Sequence, residues 1–274
     1  MKSPFQQPAS LSSSKTSRLA QFTALFSTPR LASLLGALSL LFLNTAGATE
    51  NTSAQLRPHT AVYTVTGKQG SASTTRTLAV DQEGVWTLEQ AVKLLIFRIN
   101  EGSQFTVDNG QIVPIKFHHT RNIGRSKNQA VFFNWAAMSA ANNNDKDNWK
   151  AELEPGILDR MSLPLQIQLD LINGTLAGKK DYKLLDKGKI KTYTVEVVGF
   201  ETLQTVFGNR QLLKLSQSRK GSDKEILSWL DPSQDYLMMH SQQIEDDEVI
   251  TLEIESIQYS DKNTEKAASA SPKE

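Results

Sequence analysis

The stretch FTVDNGQIVPIKF, residues 105–117, decides how the chain is read. Asn109-Gly110 supplies the positive φ angles of a tight hairpin turn. Phe105 and Val107 lead into it, and Ile112, Ile115 and Phe117 lead out. The segment is strand, turn, strand. Pro114 has no N–H to give a ladder, so the outgoing strand is expected to be an edge or to bulge there.

The same style extends both ways. In residues 85–96, Trp86, Leu88, Val92, Leu94 and Ile96 share one face and Thr87, Glu89 and Lys93 the other, as in a strand buried on one side. Residues 184–190 read as a hairpin around Lys187-Gly188, and residues 192–198 as a strand broken by Gly199. Residues 201–207 lead to a turn at Gly208-Asn209-Arg210, followed by runs at 211–218, 224–230, 236–244 and 248–258. About ten strands at this spacing predict an antiparallel sheet, sandwich or barrel.

LPLQIQLDLI, residues 163–172, is ambiguous. Its strict alternation reads as a strand. Its Leu and Gln content, with Ser162 as a possible cap and Pro164 tolerated in a first turn, reads as a helix, and the helix is preferred. The fold class is therefore mainly β with one or two helices (α+β), built on a curved antiparallel sheet, a half-barrel or an open barrel. Residues 136–148 (AAMSAANNNDKDN) read as a long loop. Residues 261–274 read as a disordered polar tail.

The first 48 residues carry Lys2, Lys15, Arg18 and Arg30 and no acid, then an apolar run at 31–43 that ends in Ala46-Gly47-Ala48. These are the parts of a secretory signal peptide cleaved after Ala48. The run is shorter than the roughly 20 residues of a membrane span. The reading is a signal peptide at 1–48, a linker at 49–57 and one β-rich domain at 58–260. The mature chain is expected in the periplasm, without a transmembrane span. Without the four basic residues of the signal, 26 basic residues stand against 29 acidic ones, a net of −3. Such a surface exerts no global pull on nucleic acid. The chain has no cysteine, which rules out disulfides, thiol catalysis, zinc–thiolate sites and lipidation at a cysteine.

Catalytic motifs are missing: there is no G-x-S-x-G, no P-loop and no H-E-x-x-H. No cofactor or metal is predicted. His118 and His119 point to opposite faces of one strand, and His119 is read as tucked in beside Ile115 and Phe117. Lys116, Arg121, Arg125 and Lys127 form a basic stretch, read as a solvated hairpin end rather than a seat for an anionic head group. Asp159 and Asp170 bracket the helix; they are read as capping or surface residues rather than a glycan-hydrolase pair. His240 with Asp231, Asp235 and the Glu245–Glu248 tip is read as two turns bounding three strands. Trp86, Phe105, Phe117 and Trp229 are the candidate residues for lining a ligand cavity.

Residues 195–208, VEVVGFETLQTVFG, resemble the G-x-E-x-L-x-T-x-x-G segment of an exported bacterial family known as domain of unknown function 3108. Ser228-Trp229-Leu230-Asp231-Pro232 and Tyr236-Leu237-Met238 are similar to its W-hydrophobic-x-x-D and L-P-hydrophobic segments, with Met238 where proline is frequent. Leu158–Leu163 resembles its D-x-x-S helix entry, and Tyr63-Thr64-Val65 its opening strand. The resemblance implies an exported, β-rich protein without an established activity. A curved sheet with one helix also resembles the open half-barrels of periplasmic lipoprotein carriers. The functional expectation is a non-catalytic binding or carrier protein for an apolar, lipid-like ligand. The alternative is an envelope module that binds a protein partner, and a glycan hydrolase comes third.

Overall fold

The computed structural model describes residues 56–260 apart from 69, 95, 124–127, 145, 146 and 247. The expected signal peptide, most of the linker, Arg125, Lys127 and the polar tail lie outside the described residues. Eight strands come first: β1 (His59–Gly67), β2 (Gly70–Val80), β3 (Trp86–Leu94), β4 (Phe97–Asp108), β5 (Gln111–Arg121), β6 (Gln129–Asn134), β7 (Ser139–Asn144) and β8 (Asp147–Glu152). The short β9 (Ile157–Leu158) and helix α1 (Ser162–Ile172) follow. The chain then returns through β10 (Lys179–Asp186), β11 (Lys189–Thr205), β12 (Gly208–Ser218), β13 (Glu225–Asp231), β14 (Leu237–Glu245) and β15 (Glu248–Tyr259).

All fifteen strands form one sheet, in the order β8-β7-β6-β5-β4-β3-β2-β1-β15-β14-β13-β12-β11-β10-β9. The first and last long strands, β1 and β15, pair in its middle. Every pairing is antiparallel except β9 with β10, which flank α1 as a β–α–β unit.

The connectivity dictates the curvature. The two edges, β8 and β9, are consecutive in the chain and only residues 153–156 join them. Laid flat, fifteen strands at about 4.8 Å spacing would put those edges about 67 Å apart. Four linking residues reach less than about 20 Å. The sheet must curl, and contacts confirm it: β9 and α1 both pack on β5. Trp149 of β8 lies over the β10–β11 turn, where a Cβ on Gly188 would sit 3.1 Å from the indole. The edges approach without hydrogen-bonding to each other among the described residues, so the sheet stays open.

The helix fills the curl. All its residues from Ser162 to Leu171 except Pro164 are buried. This explains the strand-like alternation of residues 163–172. Residues two apart lie about 200° apart on a helix, so alternation scatters leucine around the whole circumference. A helix enclosed on all sides needs that. The intervening polar residues each fasten it in a different direction. Gln166 accepts from the N–H of Ile112 (2.6 Å) and donates to the Gly110 carbonyl (3.0 Å). Gln168 donates to the Asp235 carbonyl (2.7 Å). Asp170 accepts from Lys180 and Tyr182, both at 2.7 Å, and from Thr175 at 2.9 Å.

Several expectations are met in detail. Asn109 and Gly110 take φ of 49° and 76°, and Lys187 and Gly188 take 49° and 73°. Opposite Phe105 the register slips, so β5 bulges beside Pro114. It is no edge, because β4 and β6 flank it.

Others need correction. The bulge turns Ile115 outward, so it shares no face with Phe117 and His119. Ile96 lies in the turn after β3, 70 % exposed. Gly199 does not end a strand: it forms a bulge within the single long β11. The next turn is Val206-Phe207, two residues earlier than expected, and Gly208 already opens β12. Residues 136–148 are no long loop, since β7 and the start of β8 lie there. Their alanines and asparagines have poor strand propensity, and the pairing with β6 overrides it.

Candidate functional site

The inner face of the first half of the sheet is layered by register. Its lower rungs are mostly apolar: Trp86 pairs with Phe105, and Leu78, Leu88, Ser103, Phe117 and Val131 follow one another across β2 to β6. The next rung is polar. Arg76, Gln90, Glu101, His119 and Gln129 are register partners in turn across the same five strands.

On this rung His119 stands between two charged neighbours. A guanidinium only donates, so Arg121 donates to His119 Nε2 (2.9 Å). Nδ1 faces Glu101 Oε1 at 3.4 Å, and Arg160 approaches the same oxygen at 2.5 Å. Burial alone would raise the Glu101 carboxyl. The His119 contact and the charges of Arg160 and Arg76 outweigh it and hold the carboxyl below its usual range. His59 is pushed down, first by burial and then by the nearby Arg76 and Arg57 charges, against a hydrogen bond to the Arg57 carbonyl that favours its protonated form.

Above this rung, between α1 and the sheet, lies a cavity of about 380 Å³. Its apolar wall comes from α1 (Leu163, Ile167) and from the second half of the sheet (Leu184, Val195, Leu215, Leu230). Its charged side chains are Arg76, Glu101, Arg160 and Lys224. The rest of the lining is largely polar, with His59, Gln168, Gln217, Ser228, Ser241 and Gln243 among it. The volume falls within the range of small-molecule sites.

None of the four candidate lining residues is on that wall. Trp86, Phe105 and Phe117 are buried in the main core. Trp86 and Phe105 stack on each other at 6.4 Å, and Arg160 covers Phe117 at 5.3 Å. These large aromatics at paired positions fill space with each other, and the aromatic residues that do line the cavity are Tyr63, Tyr193 and Tyr236. Trp229 alternates with Ser228 and Leu230, which line the cavity, so it points to the opposite face. There it donates to Glu201 (2.9 Å), lies under Lys214 and meets the His240 ring at 4.8 Å.

The other sequence candidates are placed as follows. His240 pairs across the ladder with Glu253. Asp231 accepts from the Ser233 amide in its turn, and Arg210 lies 3.9 Å from its other oxygen. Tyr236 and Met238 line the cavity, whereas His240 lies beyond a register slip on the Trp229 side. Asp159 is buried, accepts from Ser103 and from the amides of Met161 and Ser162, and so opens the helix. No group of three or more His, Asp or Glu side chains among the described residues forms a metal-ligating cluster. Arg76 and Glu101 stand out in the sequence only by parity: Arg76 shares a face with Thr74 and Leu78, and Glu101 with Ser103 and Phe105.

Comparison with known proteins gives the fold company. No curated protein matches the chain. A β-barrel-like protein of domain of unknown function DUF1849 from Brucella abortus is similar in structure, with a TM-score of 0.54 and 11% identity, over 76% of this chain and 99% of that one. The MucA/MucB complex of Pseudomonas aeruginosa is similar at a TM-score of 0.35 and 11% identity, over 78% of this chain and 56% of that one. The family model "Protein of unknown function (DUF3108)" matches residues 56–254, the whole of the curled sheet but its last strand end, and the chain belongs to that family.

Proposed function

We propose that this protein is an exported, non-catalytic binding or carrier protein of the cell envelope that holds an apolar, lipid-like ligand in the cavity between α1 and the sheet. The observation that carries the reading is the cavity itself: about 380 Å³ with an aliphatic wall of Leu163, Ile167, Leu184, Val195, Leu215 and Leu230. The basic, apolar, A-x-A leader of the sequence supports export. Native mass spectrometry of the protein purified from cells tests the reading. An adduct that extracts into organic solvent is expected, and a bare polypeptide mass under conditions that retain a known lipid complex contradicts it.

A second reading, an envelope module that binds a protein partner, has its own observation. Past Glu196, β11 has no partner in β10, and before Leu213, β12 has none in β13. The two strands continue as a two-stranded arm that exposes Val198, Phe200 and Val206. Exposed apolar side chains on such an arm suit a protein contact. Crosslinking in cells from a photoreactive residue at Phe200 separates the readings: one reproducible protein adduct favours the module, and none favours the carrier.

A further inference from the structure

We infer that the ligand of this cavity is an amphiphile with an anionic head group, and that Arg76 receives that head. The inference rests on the carrier reading above and adds the chemistry of one end of the ligand.

Arg76 differs from every other cation at the cavity. Arg160 is held by Glu101 at 2.5 Å and covers Phe117. Lys224 pairs with Glu245 at 3.6 Å. Arg76 has no carboxylate within 4 Å among the described residues. Its Nε and one terminal nitrogen both donate to a single neutral oxygen, Gln90 Oε1, at 3.0 and 2.6 Å. The face of Tyr63 lies 5.5 Å from it.

Among the described residues, no carboxylate pairs directly with Arg76. Glu101, two strands away on the same rung, feels the Arg76 charge but makes no ion pair with it within 4 Å. Its Oε1 is engaged by Arg160 and His119. His59, on the neighbouring β1, is pushed toward its neutral form and supplies no negative charge. Gln90, Tyr63 and Gln129 are neutral. A guanidinium carries five donors in a planar fork that fits a carboxylate or a phosphate at two points. The fork on Arg76 keeps its second terminal nitrogen for such a partner. A half-buried arginine on the wall of an apolar cavity is costly without an anion. A carboxylate or phosphate head at Arg76 would leave its apolar tail to the leucine-rich wall.

Titration of the purified full chain tests this with three probes of equal tail: dodecanoate, dodecyl phosphate and dodecanol. Either anion or both should bind more tightly than dodecanol by about ten- to a hundredfold, the usual worth of a charge-assisted hydrogen-bonded pair. Which anion binds better distinguishes a carboxylate head from a phosphate. Arg76→Gln should abolish the preference, bringing the two anions to the affinity of dodecanol. Arg76→Lys, which keeps the charge and loses the fork, should retain part of it, and circular dichroism spectra confirm that both variants are folded. Equal binding of all three probes by the wild type, or an anion preference that survives Arg76→Gln, overturns the head-group assignment and leaves the carrier reading standing. Binding of none of the three overturns the carrier reading and the assignment with it.

Discussion

Replacing Asp170 with alanine should loosen the helix from the sheet. Asp170 is 1% exposed and accepts from Lys180 and Tyr182 at 2.7 Å, Thr175 at 2.9 Å and Gln166 at 3.1 Å. Asp170→Ala leaves four donors without that acceptor, one of them a charge. Removing one member of a buried ion pair costs about 3–5 kcal/mol. The Lys180 side chain is one-third exposed, so its ammonium can turn to water, which places the loss near the lower figure. Tyr182 has no such escape. Its hydroxyl is held protonated first by burial and then by its bond to Asp170, and it stays buried. A loss of this size in a domain of about 200 residues lowers Tm by roughly 6–12 °C. Urea unfolding followed by circular dichroism measures it, with Asp181→Ala as the control. Asp181 accepts from Thr194 on the solvent side of the same strand, and its loss should stay within about 0.5 kcal/mol. If Asp170→Ala costs no more than Asp181→Ala, the helix is not fastened through this carboxylate.

Three further outcomes follow from the same geometry. Gly188→Val should cost about 1–3 kcal/mol in urea, because φ is 73° there and the new side chain meets the Trp149 indole; an unchanged midpoint would mean that the sheet edges do not approach at this turn. The Glu101 carboxyl lies below its ordinary value of 4.5 in the folded protein, so the unfolded chain takes up its proton first as pH falls. Glu101 therefore stabilises the fold above that value and ceases to do so as pH drops through its lower folded value. The stability gap between wild type and Glu101→Gln should narrow across that acid window in a pH series of urea titrations, and a gap that widens contradicts the assignment. Phe200→Ser, on the exposed face of the arm, should change stability by less than about 0.5 kcal/mol, and a larger loss would show that the Phe200 ring itself packs against the body, as Leu203 and Leu212 of the arm do.

What the sequence makes legible is what depends on neighbours in the chain. Asn109-Gly110 and Gly188 announce themselves because their positive φ suits asparagine and glycine, and Asp231-Pro232 because both residues favour a turn. The helix at 162–172 was legible in type, but not the reason for its alternation, since enclosure comes from strands far away in sequence. β7 and β8 were not legible: alanine and asparagine carry no strand signal, and only the ladder with β6 makes them strands. The cavity was legible least. Arg76, Glu101 and His119 each look like ordinary strand residues, and only the register of four strands sets them on one rung. The aromatics drew attention by size, and size is what seats them in the filled core.

The central claim is that the space between α1 and the sheet takes an apolar ligand. Leu215 is 3% exposed, lines that space and sits in the middle of β12, so Leu215→Trp fills it from one wall. Fluorescence titration with a neutral naphthylamine fluorophore, on wild type and on this variant, is the most direct measurement. Saturable one-to-one binding to the wild type is expected, and its loss in a folded Leu215→Trp protein. Equal binding by both, or binding by neither, contradicts it.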